Sequence, residues 1–145
     1  MAILVTDEGF APDDWRHGYV PLAALSDAAD GGWRLGIDLR SAELSPRDWQ
    51  RLRAALPRCG MIRLRLRHFG DTEALELAER LRAAGYRGRL RAHGAVLARF
   101  YTLARRAGFS EVELDRHQAQ RQPREHWRFF DTWAPEGIAR SPFTG

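Results

Sequence analysis

Between Gly60 and Asp115, stretches in which every second residue is apolar alternate with stretches whose apolar residues recur every three to four positions. Ile62-Arg63-Leu64-Arg65-Leu66-Arg67, Arg89-Leu90-Arg91-Ala92 and Val112-Glu113-Leu114 have the two-residue period of half-buried strands, and the segments between them have the helical period. A β-α-β-α-β rhythm predicts a parallel sheet joined by right-handed crossovers. Upstream, Trp33 to Arg40 alternates in the same way, with Leu35, Ile37 and Leu39 on one side and Arg34, Asp38 and Arg40 on the other. Residues 2–6 form a further short strand, Asp7 to Gly18 reads as a loop or irregular hairpin, and Pro21 to Leu25 as a short helix stopped by Asp30-Gly31-Gly32.

Helix boundaries are marked by local chemistry. Ser45 can accept from a free backbone amide, Pro46 suits the first helical position and Asp48 suits the positive helix end; Trp49, Leu52, Ala55 and Leu56 share a face before Pro57. Asp71 is the expected N-cap of a helix over 72–84 that buries Ala74, Leu75, Ala78 and Leu81 and ends at Gly85. A third helix is expected near 95–107, burying Val96, Leu97, Phe100, Leu103 and Ala104, with Gly108 just beyond it. After Asp115 the chain turns polar, and Gln120-Arg121-Gln122-Pro123 is expected to break any long helix. The implied organisation is a single α/β domain over 1–115, with an irregular part at 1–32 and a βα core at 33–115, followed by a tail at 116–145 packing on it.

The second phase of the strands changes this picture. Arg34, Asp38, Arg40, Arg63, Arg65, Arg67, Arg89, Arg91, His93, Glu111, Glu113 and Asp115 all fall opposite the apolar set. A sheet covered by helices on both faces would have continuously apolar strands. The pattern therefore predicts a mainly parallel sheet of four to five strands with helices mostly on one face, open and half-barrel-like. The other face is then solvated, covered by the N-terminal strand, the aromatic tail or a second subunit of a homo-oligomer, or used to bind an anion.

Composition narrows the chemistry. The chain has 145 residues, 44% of them apolar, which suits one globular core. No apolar run approaches the roughly 20 residues of a membrane span, and the N-terminus lacks the basic region of a signal peptide. Cys59 is alone, so neither an internal disulfide nor a cysteine metal cluster is expected, and a cytoplasmic setting follows. All 23 basic residues are arginine, which excludes Schiff-base, general-base and phosphate-loop lysines. The net charge of +4 is small and acidic residues are interspersed, so nucleic-acid binding is the least favoured function. The five histidines lack zinc-site spacing, no glycine-rich phosphate loop is present, and no metal or other cofactor is expected.

Open α/β sheets bind ligands at the carboxyl ends of their strands. That rule selects Arg40, Arg67, His68, Asp71, Arg91 and His93. Arg67, Arg91 and the start of the 72–84 helix would surround a sulfate-, phosphate- or sulfite-like oxyanion, and His68 or His93 would move a proton. Trp127, Phe129, Phe130 and Trp133 cluster in the tail, either docked on the domain or exposed as a partner-binding patch.

Phe69-Gly70-Asp71, Leu77-Ala78, Leu81-Arg82, the run from Gly85-Tyr86-Arg87-Gly88 to Ala95-Val96-Leu97, and Gly108-Phe109 resemble a bacterial family, domain of unknown function 934. The resemblance is best from Trp33 to Asp115, with Asp13-Asp14-Trp15 and Pro21 to Leu25 similar to the family's beginning. The family typically carries Phe-x-Asp-Gly-Arg-Gly-Tyr-Ser before the helix; here Phe69 and Asp71 remain while Thr72, Glu73, Ala74, Leu75 and Glu76 replace the rest. Its members are commonly encoded beside sulfite reductase and other sulfate-assimilation enzymes. The resemblance implies a divergent member that lacks part of the polar motif, acting as a non-catalytic accessory to a sulfite-reductase pathway protein; the alternative is an enzyme or sensor of a small oxyanion.

Overall fold

The structure, a computed structural model, describes residues 2–25 and 33–127. Its strands are β1 (Ile3–Thr6), β2 (Gly9–Pro12), β3 (Val20–Pro21), β4 (Leu35–Leu39), β5 (Cys59–Leu66), β6 (Arg89–Gly94) and β7 (Glu111–Leu114). The helices are α1 (Pro46–Ala55), α2 (Thr72–Ala83), α3 (Tyr101–Ala107) and α4 (Arg116–Arg121). One mixed sheet, ordered β2-β1-β7-β6-β5-β4-β3, contains all seven strands. Neighbours from β3 to β7 pair in parallel, and β1 pairs antiparallel with both β2 and β7.

The expected four to five strands were too few, for two local reasons. β3 is only two residues long and carries no readable period. β2 begins at Gly9, whose φ of +111° closes the tight turn after Thr6, and ends at Pro12, so its composition is that of a loop.

Because β4, β5, β6 and β7 lie side by side in chain order, each crossover steps in the same direction. Right-handed crossovers of that kind deliver their helices to the same face. Leu52 and Ala55 of α1, Leu77 and Leu81 of α2, and Tyr101 and Ala104 of α3 accordingly join Ile37, Ile62, Leu64, Leu90, Val112 and Leu114 in one buried cluster. These are the apolar strand positions of the sequence pattern.

Capping accounts for the helix starts. The Ser45 side chain accepts from the Asp48 amide ahead of Pro46, and Asp71 accepts from the Ala74 amide. The third helix differs from expectation. Residues 95–97 are not helical, a 3-10 turn spans Ala98–Phe100, and the α-helix starts at Tyr101. The polar stretch after Asp115, in turn, contains α4, opened by a capping box in which Asp115 and Gln118 exchange bonds. The two departures are linked. Gln118 Nε2 donates to the Gly94 carbonyl at 2.6 Å, Gln122 Nε2 to the Val96 carbonyl at 3.0 Å, and the Ala98 amide donates to Gln122 Oε1 at 2.6 Å. Glutamines far along the chain thus bind the backbone of 94–98 that an earlier start of the helix would need. Trp127 is buried behind them, edge-on to Tyr101 with ring centroids 5.7 Å apart.

Candidate functional site

The charged strand phase lies on the sheet face opposite the helices. Parallel register places Asp38, Arg63, Arg91 and Glu111 in one row across β4 to β7. Arg63 and Arg91 are therefore neighbouring like charges, an arrangement that needs carboxylates from elsewhere. Glu113 supplies one, bonding Arg63 Nη1 at 3.2 Å and Arg91 Nη1 at 2.8 Å. Asp38 bonds Arg63 Nε at 3.1 Å, and Glu111 bonds Arg91 Nε at 2.7 Å and Arg89 Nη2 at 2.9 Å.

The remaining partners come from residues 13–19, which connect β2 at one edge of the sheet to β3 at the other and so form a strap across this face. Asp13 pairs with Arg91 Nη1 at 3.0 Å, Asp14 pairs with Arg89, and the Tyr19 ring lies 4.0 Å from the Arg63 guanidinium carbon. Trp15 Nε1 donates to the Gly18 carbonyl at 2.8 Å, and its indole lies over Gly36 and Gly60. Bare backbone is required there: a Cβ on Gly36 would stand 2.5 Å from the Gly18 oxygen. Arg91 ends with no exposed side-chain surface.

The electrostatics follow from this packing. Arg63, Arg89 and Arg91 meet five carboxylates, Asp13, Asp14, Asp38, Glu111 and Glu113. Within this cluster carboxylates outnumber guanidinium groups, so its three arginines are already matched by acids of the chain. Burial draws the His93 imidazole below its usual pKa, reinforced by Arg63, and its Nε2 has no hydrogen-bond partner. Burial pushes the Tyr19 phenol up to about 12 although Arg91 and Arg63 favour its ionised form.

The six residues selected for the strand ends do not converge. Arg91 lies in the strand body, in register with Arg63, so Arg67 is roughly 13 Å further along β5. Arg67 bonds Glu43 at 3.3 Å and Glu73 at 3.2 Å. Asp71 is buried as the α2 cap; burial would raise its pKa, but the amides of Arg67 and Ala74 outweigh that and hold it below the usual carboxylate range. Arg40 and His68 are exposed, and His93 lies 3.8 Å from Asp38. Trp127 is only 3% exposed and offers no surface to a partner, while Phe129, Phe130 and Trp133 lie outside the described residues.

Cys59 is equally enclosed. Its thiol donates to the Met61 carbonyl at 3.1 Å, and burial pushes its pKa up to about 11 against the pull of Arg58. Among the described residues no group of three or more His, Cys, Asp or Glu side chains is arranged to hold a metal ion. Sequence reasoning missed Asp13, Asp14, Trp15 and Tyr19 as parts of this face. The available signal was the adjacent acid pair ahead of an aromatic, in a chain whose central strands place arginine beside arginine.

Fold and face together define a βα-repeat protein whose polar sheet surface is neutralised from within. The chain belongs to a family of bacterial proteins of unknown function (DUF934), whose family model matches residues 42–142. That range includes Arg63, Arg91, Glu111 and Glu113 and begins after the strap. Comparison with curated proteins and with solved structures returns no match.

Proposed function

We propose that the protein is a non-catalytic accessory of sulfur assimilation that acts by binding a protein partner of the sulfite-reduction pathway. The sulfur setting, and the cytoplasmic location that goes with it, are supported by the family resemblance. The absence of chemistry is supported by one observation above all: the charged sheet face is closed by its own strap and spends its guanidinium groups on its own carboxylates. Three further side chains able to react are engaged as well: Cys59 is buried, Asp71 holds a helix end and Tyr86 donates to the Arg89 carbonyl at 2.7 Å. No described helix is long and apolar enough to cross a membrane.

A half-barrel curvature of the sheet belongs to this reading. Residues 13–19 can reach at most roughly 28 Å between β2 and β3. A flat sheet of this strand number is roughly 29 Å from edge to edge. The turn at Asp13 to Trp15 and the positive φ of Gly18 shorten the strap further, which supports edges that curve toward one another.

Affinity capture from the source cell, with the intact chain as bait, tests the function. Recovery of a sulfite-reduction protein is expected; specific recovery of nothing would overturn the proposal.

A further inference from the structure

At the end of the strands opposite Arg67, where β4 to β7 begin, two adjoining concavities share Arg82 and Ser110 and form one open trough. Their volumes are about 530 and 500 Å³. Trp33 and Arg87 line one concavity and Arg106 the other.

The arginines here are of two kinds. Arg89 and Arg105 each meet a carboxylate of the chain, as Arg63, Arg67 and Arg91 do on the sheet. Arg82 does not: its guanidinium donates to the carbonyls of Gly108, Tyr86 and Gly88 at 2.9, 3.1 and 2.8 Å. Burial draws its pKa down, and repulsion from Arg105 adds to the shift. Arg87 and Arg106 are exposed and make no ion pair with any described residue. Glu79 is the single acid among the described residues that line the trough. Among the described residues positive charge is thus left over here, while the Arg63, Arg89 and Arg91 cluster of the sheet face is matched by acids.

Trp33 adds an apolar contact. It is 54% exposed and has a φ of +69°, an uncommon backbone conformation for a bulky residue. Its position is set from below, because a Cβ on Gly60 would fall 2.0 Å from the Trp33 carbonyl oxygen.

We propose that this trough is the docking groove for an acidic polypeptide segment of the partner protein, with carboxylates on Arg87 and Arg106 around Arg82 and an apolar side chain on Trp33. The assignment rests on the partner-binding reading above. Charge complementarity selects an acidic occupant. A polypeptide fits better than a nucleic acid because the arginines are few, Asp14 and Glu111 interrupt them at Arg89, and a single exposed ring provides no stacking platform.

The test is anisotropy titration of a fluorescein-labelled Glu-rich peptide containing one leucine, against the full chain, Arg87→Glu/Arg106→Glu, Trp33→Ala, and a control of equal charge change on the outer face of α1, Arg47→Glu/Arg53→Glu. Thermal unfolding first confirms that each variant is folded. The full chain and the control are expected to bind alike, the trough double variant at least about tenfold more weakly, and Trp33→Ala in between. No binding by the full chain, or equal loss in control and trough variants, would overturn the groove. Tighter binding of a single-stranded oligonucleotide of matched charge, lost in the same variant, would reassign it to nucleic acid and overturn the acidic-peptide occupant. If the intact chain captures a partner from the cell and the trough variant captures it equally well, the groove fails and the accessory function stands. If the intact chain captures none, the accessory function fails and the titration alone decides the groove.

Discussion

Arg91 keeps a full charge without solvent because Glu111, Glu113 and Asp13 surround it at 2.7 to 3.0 Å. Removing one member of such a cluster leaves buried charges uncompensated, which costs about 3–5 kcal/mol. Arg91→Met is therefore expected to lower unfolding stability by that amount in urea titration, and a neutral outcome would refute the closed-face account. His93 makes a pH prediction. Its folded pKa lies below the ordinary 6.5, so between those values the unfolded chain binds more protons and stability rises with pH. The contribution is fully present above about pH 6.5 and declines as pH falls toward the folded value. His93→Gln should flatten that limb of the urea-midpoint profile. It should leave the acid limb below about pH 4, where Asp7 and Asp71, both depressed, take up protons. At this scale Asp71 was readable as a cap, since its partner Ala74 is three residues away. The surroundings of Arg91 were not, because Asp13 and Glu113 belong to distant parts of the chain and arrive only through the sheet order.

The same division between near and far partners runs through the elements. α1 and α2 start where Ser45 and Asp71 cap them, and Gly85, with φ of +99°, follows the end of α2. α3 starts late because Gln118 and Gln122 of the α4 region bind the backbone of the preceding segment, an influence with no local trace in residues 95–100. The strap depends on a different local feature, the bare backbone of Gly36 and Gly60 beneath Trp15. Gly36→Ala would place a methyl group 2.5 Å from the Gly18 oxygen and 3.0 Å from Trp15 Nε1. The expected cost is about 1–3 kcal/mol, as for other overpacked sites. It should appear in thermal unfolding together with a reduced near-ultraviolet tryptophan dichroism; an unchanged spectrum would mean that the strap is not seated as described.

For the molecule as a whole, the distribution of charge separates two regions: a closed face whose buried arginines are matched by acids and an open trough where, among the described residues, arginine exceeds acid. The closed face should be indifferent to small anions. Calorimetry with sulfite, sulfate and adenylylated sulfate is expected to show no heat of binding attributable to Arg67, Arg91 and His93; saturable binding abolished by Arg91→Met in a folded protein would restore an oxyanion site there. The α/β class, the parallel core and the residues facing the helices were legible because strand and helix periods are properties of neighbouring residues. The existence of a charged strand phase was legible for the same reason. What occupies that phase was not, since long-range pairing brings β1 beside β7 and carries residues 13–19 from one sheet edge to the other. Alternation records which way each side chain faces. Which carboxylate meets it depends on chain crossings that leave no period in the sequence.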